Sequence, residues 1–165
     1  DEAGPYIGLG VVALQKNKLE DAEIAFRVAC RLDTNCAKGY AGLAMVAQQR
    51  ADYKQAFEMY LKCLELDADN LTALLGLFQT SCRMGSFAKI IYYLEAYLNM
   101  HPGDTSVMFT LAALYMKDGR LEQAQRTLMD VLTLDPANKD AANLLEEVEH
   151  GLVRMGLAGA GVGCS

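Results

Sequence analysis

The chain has 165 residues, of which 52% are hydrophobic and 22% are charged, a composition that is ample for a buried core. Its formal net charge is −6, which argues against a nucleic-acid partner, because phosphate binding requires a dense basic surface. No apolar run approaches the ~18 residues that a membrane span requires. We therefore expect a folded protein that neither binds nucleic acid nor crosses a membrane.

The residues that carry chemistry are few and scattered. The two histidines, His101 and His150, have no Ser or Cys near them in the sequence pattern that would form a nucleophile–base pair, so no enzyme activity is predicted. The odd number of cysteines fits neither a zinc site nor a CxxC redox pair, and the residues concerned are Cys30, Cys36, Cys63, Cys82 and Cys164. We expect reduced thiols, a cytoplasmic location, no metal and no cofactor.

The sequence repeats itself every 34 residues without insertion. The repeats span residues 3–36, 37–70, 71–104 and 105–138, and one leucine recurs in register at Leu9, Leu43, Leu77 and Leu111. Each repeat reads as two amphipathic helices joined by a short turn. A period of this length indicates stacked helix pairs in a solenoid.

The first two repeats follow this pattern closely. Helices are predicted over about residues 5–16 and 20–32, with the unit closing before Ala37, where the second repeat begins. Asn70 begins a match to the glycosylation sequon Asn-Leu-Thr, but its place between two repeats favours a helix N-cap.

The third and fourth repeats carry Gly85 and Gly119 where a first helix should end in a left-handed residue. The third repeat also differs, because large residues replace the usual small ones at Phe78, Ile90 and Tyr97. Leu74 and Leu94 replace aromatics there, so an exchange of volume is favoured over a deliberate change of curvature.

The chain closes with a predicted capping helix over residues 139–155 and a glycine-rich tail over 156–165. A flexible linker is the default interpretation of such a tail. The alternative is that Leu157 and Val162 dock in an apolar groove of this or a neighbouring molecule, which would make a homo-oligomer.

These repeats resemble the tetratricopeptide repeat (TPR), whose signature favours a bulky residue, Leu and a small residue in the first helix, then Ala, an aromatic and Ala in the second. The second repeat supplies Tyr40, Leu43, Ala44, Ala56, Tyr60 and Cys63. The resemblance implies an all-α fold, a right-handed α-solenoid of antiparallel helix pairs with four TPR units and a C-terminal capping helix. It also implies a concave groove, lined by the first helices, that binds a protein or peptide.

Carried over to this chain, the groove and its rim consist of Ile7, Gly8, Val11, Gln15, Lys38, Ala41, Gly42, Met45, Gln49, Leu75, Gly76, Gln79, Arg83, Phe109, Thr110, Ala113 and Lys117. Some family members clamp a C-terminal carboxylate with Asn residues, but those positions hold Ile7, Val11 and Gly42 here. That particular clamp is therefore not predicted.

Three groove positions in register are glycine, namely Gly8, Gly42 and Gly76. Glycine within a helix costs ~1 kcal/mol relative to alanine, so the recurrence needs an explanation. We expect the glycines to make room for a bulky or helical guest; the alternative is curvature or inherited repeat similarity. Cations near the rim, at Lys16, Arg50, Arg83 and Lys117, either steer an acidic peptide or only offset helix dipoles.

The sequence thus predicts a protein–protein interaction module or adaptor that binds a peptide or helical segment in its groove. Two alternatives stay open. One is a self-assembling scaffold whose tail or cap docks in a neighbour's groove, and the other is a regulatory domain of a larger protein.

Overall fold

The computed structural model describes the backbone of residues 1–163 and the side chains of residues 1–156. This part of the chain forms nine helices and no strand, which confirms the all-α helical-repeat fold. The helices are α1 (Gly4–Gln15), α2 (Leu19–Leu32), α3 (Ala37–Gln49), α4 (Tyr53–Leu66), α5 (Leu71–Met84), α6 (Ala88–Met100), α7 (Thr105–Lys117), α8 (Leu121–Leu134) and α9 (Lys139–Gly163). Among these described helices, none is both long and apolar enough to cross a membrane.

The chain divides into two compact units, of which the first comprises Asp1–Tyr93. In this unit α1 packs on α2, α2 on α3, α3 on α4 and α4 on α5. One core cluster joins the first two repeats, because Leu14, Ala22 and Phe26 of the first repeat are buried together with Val46 of the second. Each repeat thus buries apolar surface against the next, as stacked helix pairs require.

The second unit begins at Leu94 and contains α7, α8 and α9. Its core includes Leu114, Leu128 and Val131, none of which is exposed. Ala141 and Val148 of α9 are also fully buried. The last helix therefore covers the fourth repeat within this unit.

The turn between the two helices of each repeat uses one left-handed residue, and all four residues lie in register. Gly85 and Gly119 have φ of 68° and 78°, which confirms the predicted helix ends. Asn17 and Ala51 both have φ of 59°. Ala51 holds this conformation despite its Cβ, at a steric cost that glycine avoids.

The helix starts are capped by side chains where the sequence offers an acceptor. Asn70 Oδ1 accepts a hydrogen bond from the backbone N–H of Ala73 at 3.0 Å, which confirms its predicted capping role. Asp52, Asp104 and Asn138 cap α4, α7 and α9 in the same way, each accepting from the N–H three residues on.

Of the three large residues of the third repeat, Ile90 and Tyr97 are buried and Phe78 is half-buried. Ile90 is fully buried in the first unit, at the position where other repeats carry alanine. In the second unit Tyr97 is 5% exposed, and its hydroxyl donates to Asp104 Oδ2 at 3.1 Å. Its ring centroid lies 4.5 Å from that of His101.

The C-terminal helix α9 ends at Gly163, beyond residue 155, where the sequence analysis placed the end of the cap. No proline interrupts this stretch. The docking predicted for Leu157 and Val162 concerns side chains outside the described part, as does the thiol of Cys164.

Candidate functional site

The predicted groove residues of the first unit gather around a cavity of about 400 Å³ between α1, α3 and the start of α5. Its lining includes the predicted residues Ile7, Val11, Gln15, Lys38, Ala41, Gly42 and Met45. It also includes Leu14, Phe26, Asn70 and Thr72, which the sequence analysis did not assign to the groove. Leu14 and Phe26 belong to the buried core, so only the three-dimensional packing shows that they line this cavity.

A second cavity of about 290 Å³ adjoins the first, because Met45 and Thr72 line both. Gln49, Leu75, Gly76 and Gln79 from the predicted groove line it as well. Gln48 and Tyr60 complete the lining and were missed. The two cavities lie side by side along the first helices of the first three repeats, and together we call them the groove.

The two cavities differ in chemistry. The walls of the first are mainly aliphatic and aromatic, with the exposed Lys38 and Gln15 in its lining. The second contains a relay in which the Tyr60 hydroxyl donates to Gln48 Oε1 at 2.6 Å and Gln48 Nε2 donates to Gln79 Oε1 at 2.8 Å. The relay directs the amide oxygen of Gln79 inward, so its NH₂ group is the part that can donate to a bound chain.

Burial raises the pKa of the Tyr60 hydroxyl to about 12, with the neighbouring Cys63 adding to the effect. The hydroxyl is therefore protonated at neutral pH and acts as the donor of the relay. Because Tyr60, Gln48 and Gln79 are all neutral, the relay offers a ligand hydrogen bonds but no charge.

The room beside two of the three predicted glycines is already filled from within the chain. A Cβ on Gly42 would lie 2.4 Å from the ring of Phe26, and a Cβ on Gly76 would lie 2.1 Å from the ring of Tyr60. These two glycines therefore admit a ring from the preceding second helix, which corrects the expectation that they make room for a guest. Only Gly8 has open space, with nothing within 4 Å.

The cations of the predicted rim are partly engaged within the chain. Arg50 pairs with Glu23, which also accepts from Arg27 at 2.7 Å. The hydrogen bonds from Arg50 and then Arg27 lower the pKa of the Glu23 carboxyl. The guanidinium of Arg83 lies 5.4 Å from the ring centroid of Tyr53 and lines neither cavity of the groove.

The remaining predicted residues lie on α7 of the second unit. Phe109, Thr110 and Ala113 are half-buried there, while Lys117 is exposed. Thr110 uses its hydroxyl within the helix, donating to the Ser106 carbonyl at 3.0 Å. The spacing of the four residues places them on one face of α7.

In the first unit, the thiols of Cys30 and Cys63 contribute to packing rather than to reactivity. Burial raises the pKa of Cys30 to about 11 and that of Cys63 to about 12, so both are protonated at neutral pH. Within the described residues, no group of His, Cys, Asp and Glu is arranged to hold a metal ion.

Models of one family match most of the chain outside the first repeat. Tetratricopeptide repeat models match residues 37–70 and residues 83–148. The chain belongs to the tetratricopeptide repeat family. The TPR fold generally mediates protein–protein interaction, so the groove lies on a fold used for binding proteins.

Curated relatives are longer than this TPR chain. The type IV pilus assembly protein PilF of Pseudomonas aeruginosa is 39% identical over 75 residues, which is 45% of this chain and 30% of that protein. The protein CTR9 homolog of Arabidopsis thaliana is 24% identical over 141 residues, covering 82% of this chain and 13% of the relative. The chain thus spans less than a third of the length of either relative.

Solved TPR structures share the fold. YrrB, described as a TPR protein with an unusual peptide-binding site, superposes with a TM-score of 0.71 at 24% identity, covering 87% of this chain and 74% of YrrB. MamA superposes with a TM-score of 0.73 at 16% identity, covering 90% and 81%. At these identities the likeness shows the fold alone.

Proposed function

We propose that the protein is an adaptor that binds a peptide segment of a partner protein in the groove of its first unit. The observation that carries the proposal is the adjacency of the two cavities, of about 400 and 290 Å³, along α1, α3 and α5. Cavities that follow three successive first helices suit an extended chain segment. The peptide-binding site named for YrrB supports the same use of the fold.

The lining defines the kind of segment that fits. The first cavity would accept an apolar side chain against Ile7, Val11 and Met45, with an acidic or amide group beside Lys38. In the second, the NH₂ group of Gln79 would donate a hydrogen bond to a backbone carbonyl or polar side chain of the peptide. An apolar residue beside a polar one, in either order, is therefore the expected core of the bound motif.

The experiment selects binders from a displayed library of random dodecapeptides and measures one selected peptide by fluorescence anisotropy. Leu75→Lys should weaken its binding at least tenfold, because Leu75 lines the second cavity and is 58% exposed. Leu71→Lys is the matched control, since Leu71 is on the same helix, is 57% exposed and lines neither cavity. Equal affinities of the two variants would contradict the proposal.

A self-assembling scaffold is the second candidate. The segment that is 39% identical to a pilus assembly protein supports a role in building a larger complex. Light scattering on the purified chain, with and without residues 155–165, distinguishes the two: a tail-dependent oligomer favours the scaffold, and a monomer that binds peptide favours the adaptor.

We further propose a cytoplasmic, non-enzymatic protein that does not bind nucleic acid. The free thiols of Cys30, Cys36, Cys63 and Cys82 support the compartment. The net charge of −6 supports the exclusion of nucleic acid. The general use of the TPR fold as an interaction module supports a role without catalysis. Mass spectrometry of the protein from cells, with free thiols alkylated before lysis, tests the redox state that this location predicts.

A further inference from the structure

A cavity of about 590 Å³, larger than either cavity of the groove, lies between α2 of the first repeat and α3 and α4 of the second. It shares no lining residue with the groove. Both repeats that form it are present in the chain, so it is a feature of an interior junction. We call it the basic cavity, and its lining includes Arg27, Arg31, Tyr40, Leu43, Met59 and Lys62.

The basic cavity and the groove lie on opposite sides of α3. Because an α-helix has about 3.6 residues per turn, Tyr40 and Leu43 of the basic cavity lie on one face of α3. Ala41 and Met45 of the groove lie on the other face. A ligand in the basic cavity therefore contacts the second helices α2 and α4, whereas a ligand in the groove contacts mainly first helices.

All the charge in the lining of the basic cavity is positive at neutral pH. Arg27, Arg31 and Lys62 line it, and no Asp or Glu does. Burial raises the pKa of the Cys30 thiol to about 11 and also raises the pKa of the Tyr40 hydroxyl, so both stay protonated and add no negative charge. Because the whole chain carries a net charge of −6, these cations reverse the sign of the charge locally.

Two of the three cations have no carboxylate partner. Arg27 donates to Glu23 at 2.7 Å, so its charge is partly offset. Neither Arg31 nor Lys62 forms an ion pair within the described part of the chain. The Nζ atom of Lys62 lies 5.4 Å from the centroid of the Tyr40 ring, and this cation–π contact keeps the ammonium group at the cavity that both residues line.

The rest of the lining is largely apolar. Leu43 and Met59 are half-buried, as is Tyr40, so each still has surface that a ligand can cover. The side chain of Met59 is flexible and can adapt to ligands of different shape. The basic cavity therefore combines an apolar surface with cations on two helices, Arg27 and Arg31 on α2 and Lys62 on α4.

We propose that the basic cavity binds an acidic segment of a partner protein, with an apolar side chain against Leu43 and Met59 and flanking carboxylates at Arg31 and Lys62. Because the cations lie on two helices, a segment with an acid on each side of an apolar residue meets them better than a single anion does. Pairs between guanidinium and carboxylate groups are among the stronger hydrogen bonds in proteins. The site is separate from the groove, so one chain can hold this segment while the groove is occupied.

The test uses the full chain and a fluorescent, end-blocked peptide made of repeated Gly-Glu-Leu-Glu units, with binding measured by fluorescence anisotropy. Saturable binding is expected, and Arg31→Glu and Lys62→Glu should each weaken it at least tenfold. Lys54→Glu is the matched control, because Lys54 is an exposed lysine on the same helix as Lys62 and lines neither this cavity nor the groove. Circular dichroism checks that all variants keep their helicity.

The peptide itself supplies two further comparisons. Serine in place of each leucine should weaken binding at least tenfold, because the apolar contact with Leu43 and Met59 is lost. Phosphoserine in place of each glutamate should give no tighter binding, and a tenfold gain would show that the cavity selects phosphate and would overturn the assignment to carboxylates.

The remaining outcomes that would overturn the proposal concern the site. Absence of saturable binding would refute it. An equal loss of affinity in Lys54→Glu and Lys62→Glu would show that the peptide responds only to the overall charge of the chain. An equal loss in Lys38→Glu would place the peptide in the groove, because Lys38 lines the first cavity there.

Discussion

The ring of Phe26 lies 2.4 Å from the point where a Cβ on Gly42 would stand. No real side chain tolerates such an approach, so this ring and this glycine require each other. The same relationship recurs one repeat later between Tyr60 and Gly76. The junction between repeats in the first unit is therefore built from an aromatic residue of one repeat and a glycine of the next.

The first prediction compares alanine at two positions in register. Gly76→Ala should lower the free energy of unfolding by about 1–3 kcal/mol, because the added methyl group overlaps the Tyr60 ring and forces it to move. Gly8→Ala should raise it by up to ~1 kcal/mol, because alanine favours the helix and finds open space. Urea unfolding followed by circular dichroism at 222 nm measures both; equal effects would refute the packing described.

The second prediction concerns the left-handed turn residue Ala51. Ala51→Gly should stabilise the chain by about 0.5–1 kcal/mol, since the steric cost of a Cβ at φ 59° exceeds the added freedom of glycine in the unfolded chain. Gly85→Ala, at the same position of the next repeat, should have the opposite sign. Thermal unfolding of the pair checks the prediction, and a loss of stability in Ala51→Gly would contradict it.

The third prediction concerns the buried Ser81. Its hydroxyl is the one buried side-chain group in the described residues that has no hydrogen-bond partner, whereas the neighbouring Thr80 donates to the Gly76 carbonyl at 2.9 Å. Ser81→Ala removes an unsatisfied polar group and should raise the free energy of unfolding by about 1 kcal/mol. Thr80→Val should give no such gain, and an equal gain in both variants would show that the hydroxyl's lack of a partner is irrelevant.

The fourth prediction is a loss of stability in alkali. Burial raises the pKa of Tyr60 from 10.0 and that of Cys63 from 9.0, each to about 12. Between pH 9 and 12 the unfolded chain therefore releases protons that the folded chain retains, and the free energy of unfolding falls as pH rises. Below about pH 8 both groups are protonated in both states and their contribution is constant.

Cys63→Ala isolates one of these groups. Alanine occupies the equivalent position 29 of the first repeat, so the variant should fold. Its urea midpoint should fall less steeply with pH between 9 and 10 than that of the unchanged protein, because only Cys30 then remains of the two thiols whose pKa burial raises. An identical slope would mean that Cys63 is accessible to solvent.

Much of the fold follows from the period of the sequence. A repeat of 34 residues, with Gly85 and Gly119 at turns and Asn70 at a helix start, is enough to place the helices to within a residue or two at most boundaries. Local signals of this kind act within one or two turns of chain, so they are visible without the tertiary structure.

The groups against which the glycines pack could not be predicted from such local signals. A glycine on a helix face indicates that a large group packs against it. It does not indicate whether that group belongs to the chain or to a bound partner. Phe26 and Tyr60 share the spacing of Gly42 and Gly76, and that coincidence was the available signal. Gln48 was missed for a similar reason, because its place in the groove depends on its hydrogen bonds to Tyr60 and Gln79.

The matching spacing of rings and glycines makes the first two repeat junctions equivalent. Removing residues 37–70 would bring Phe26 to Gly76 in place of Gly42, so the new junction would again join an aromatic ring to a glycine. A gene encoding such a chain can gain or lose whole units by unequal recombination, and the protein's length can change without any new interface having to evolve.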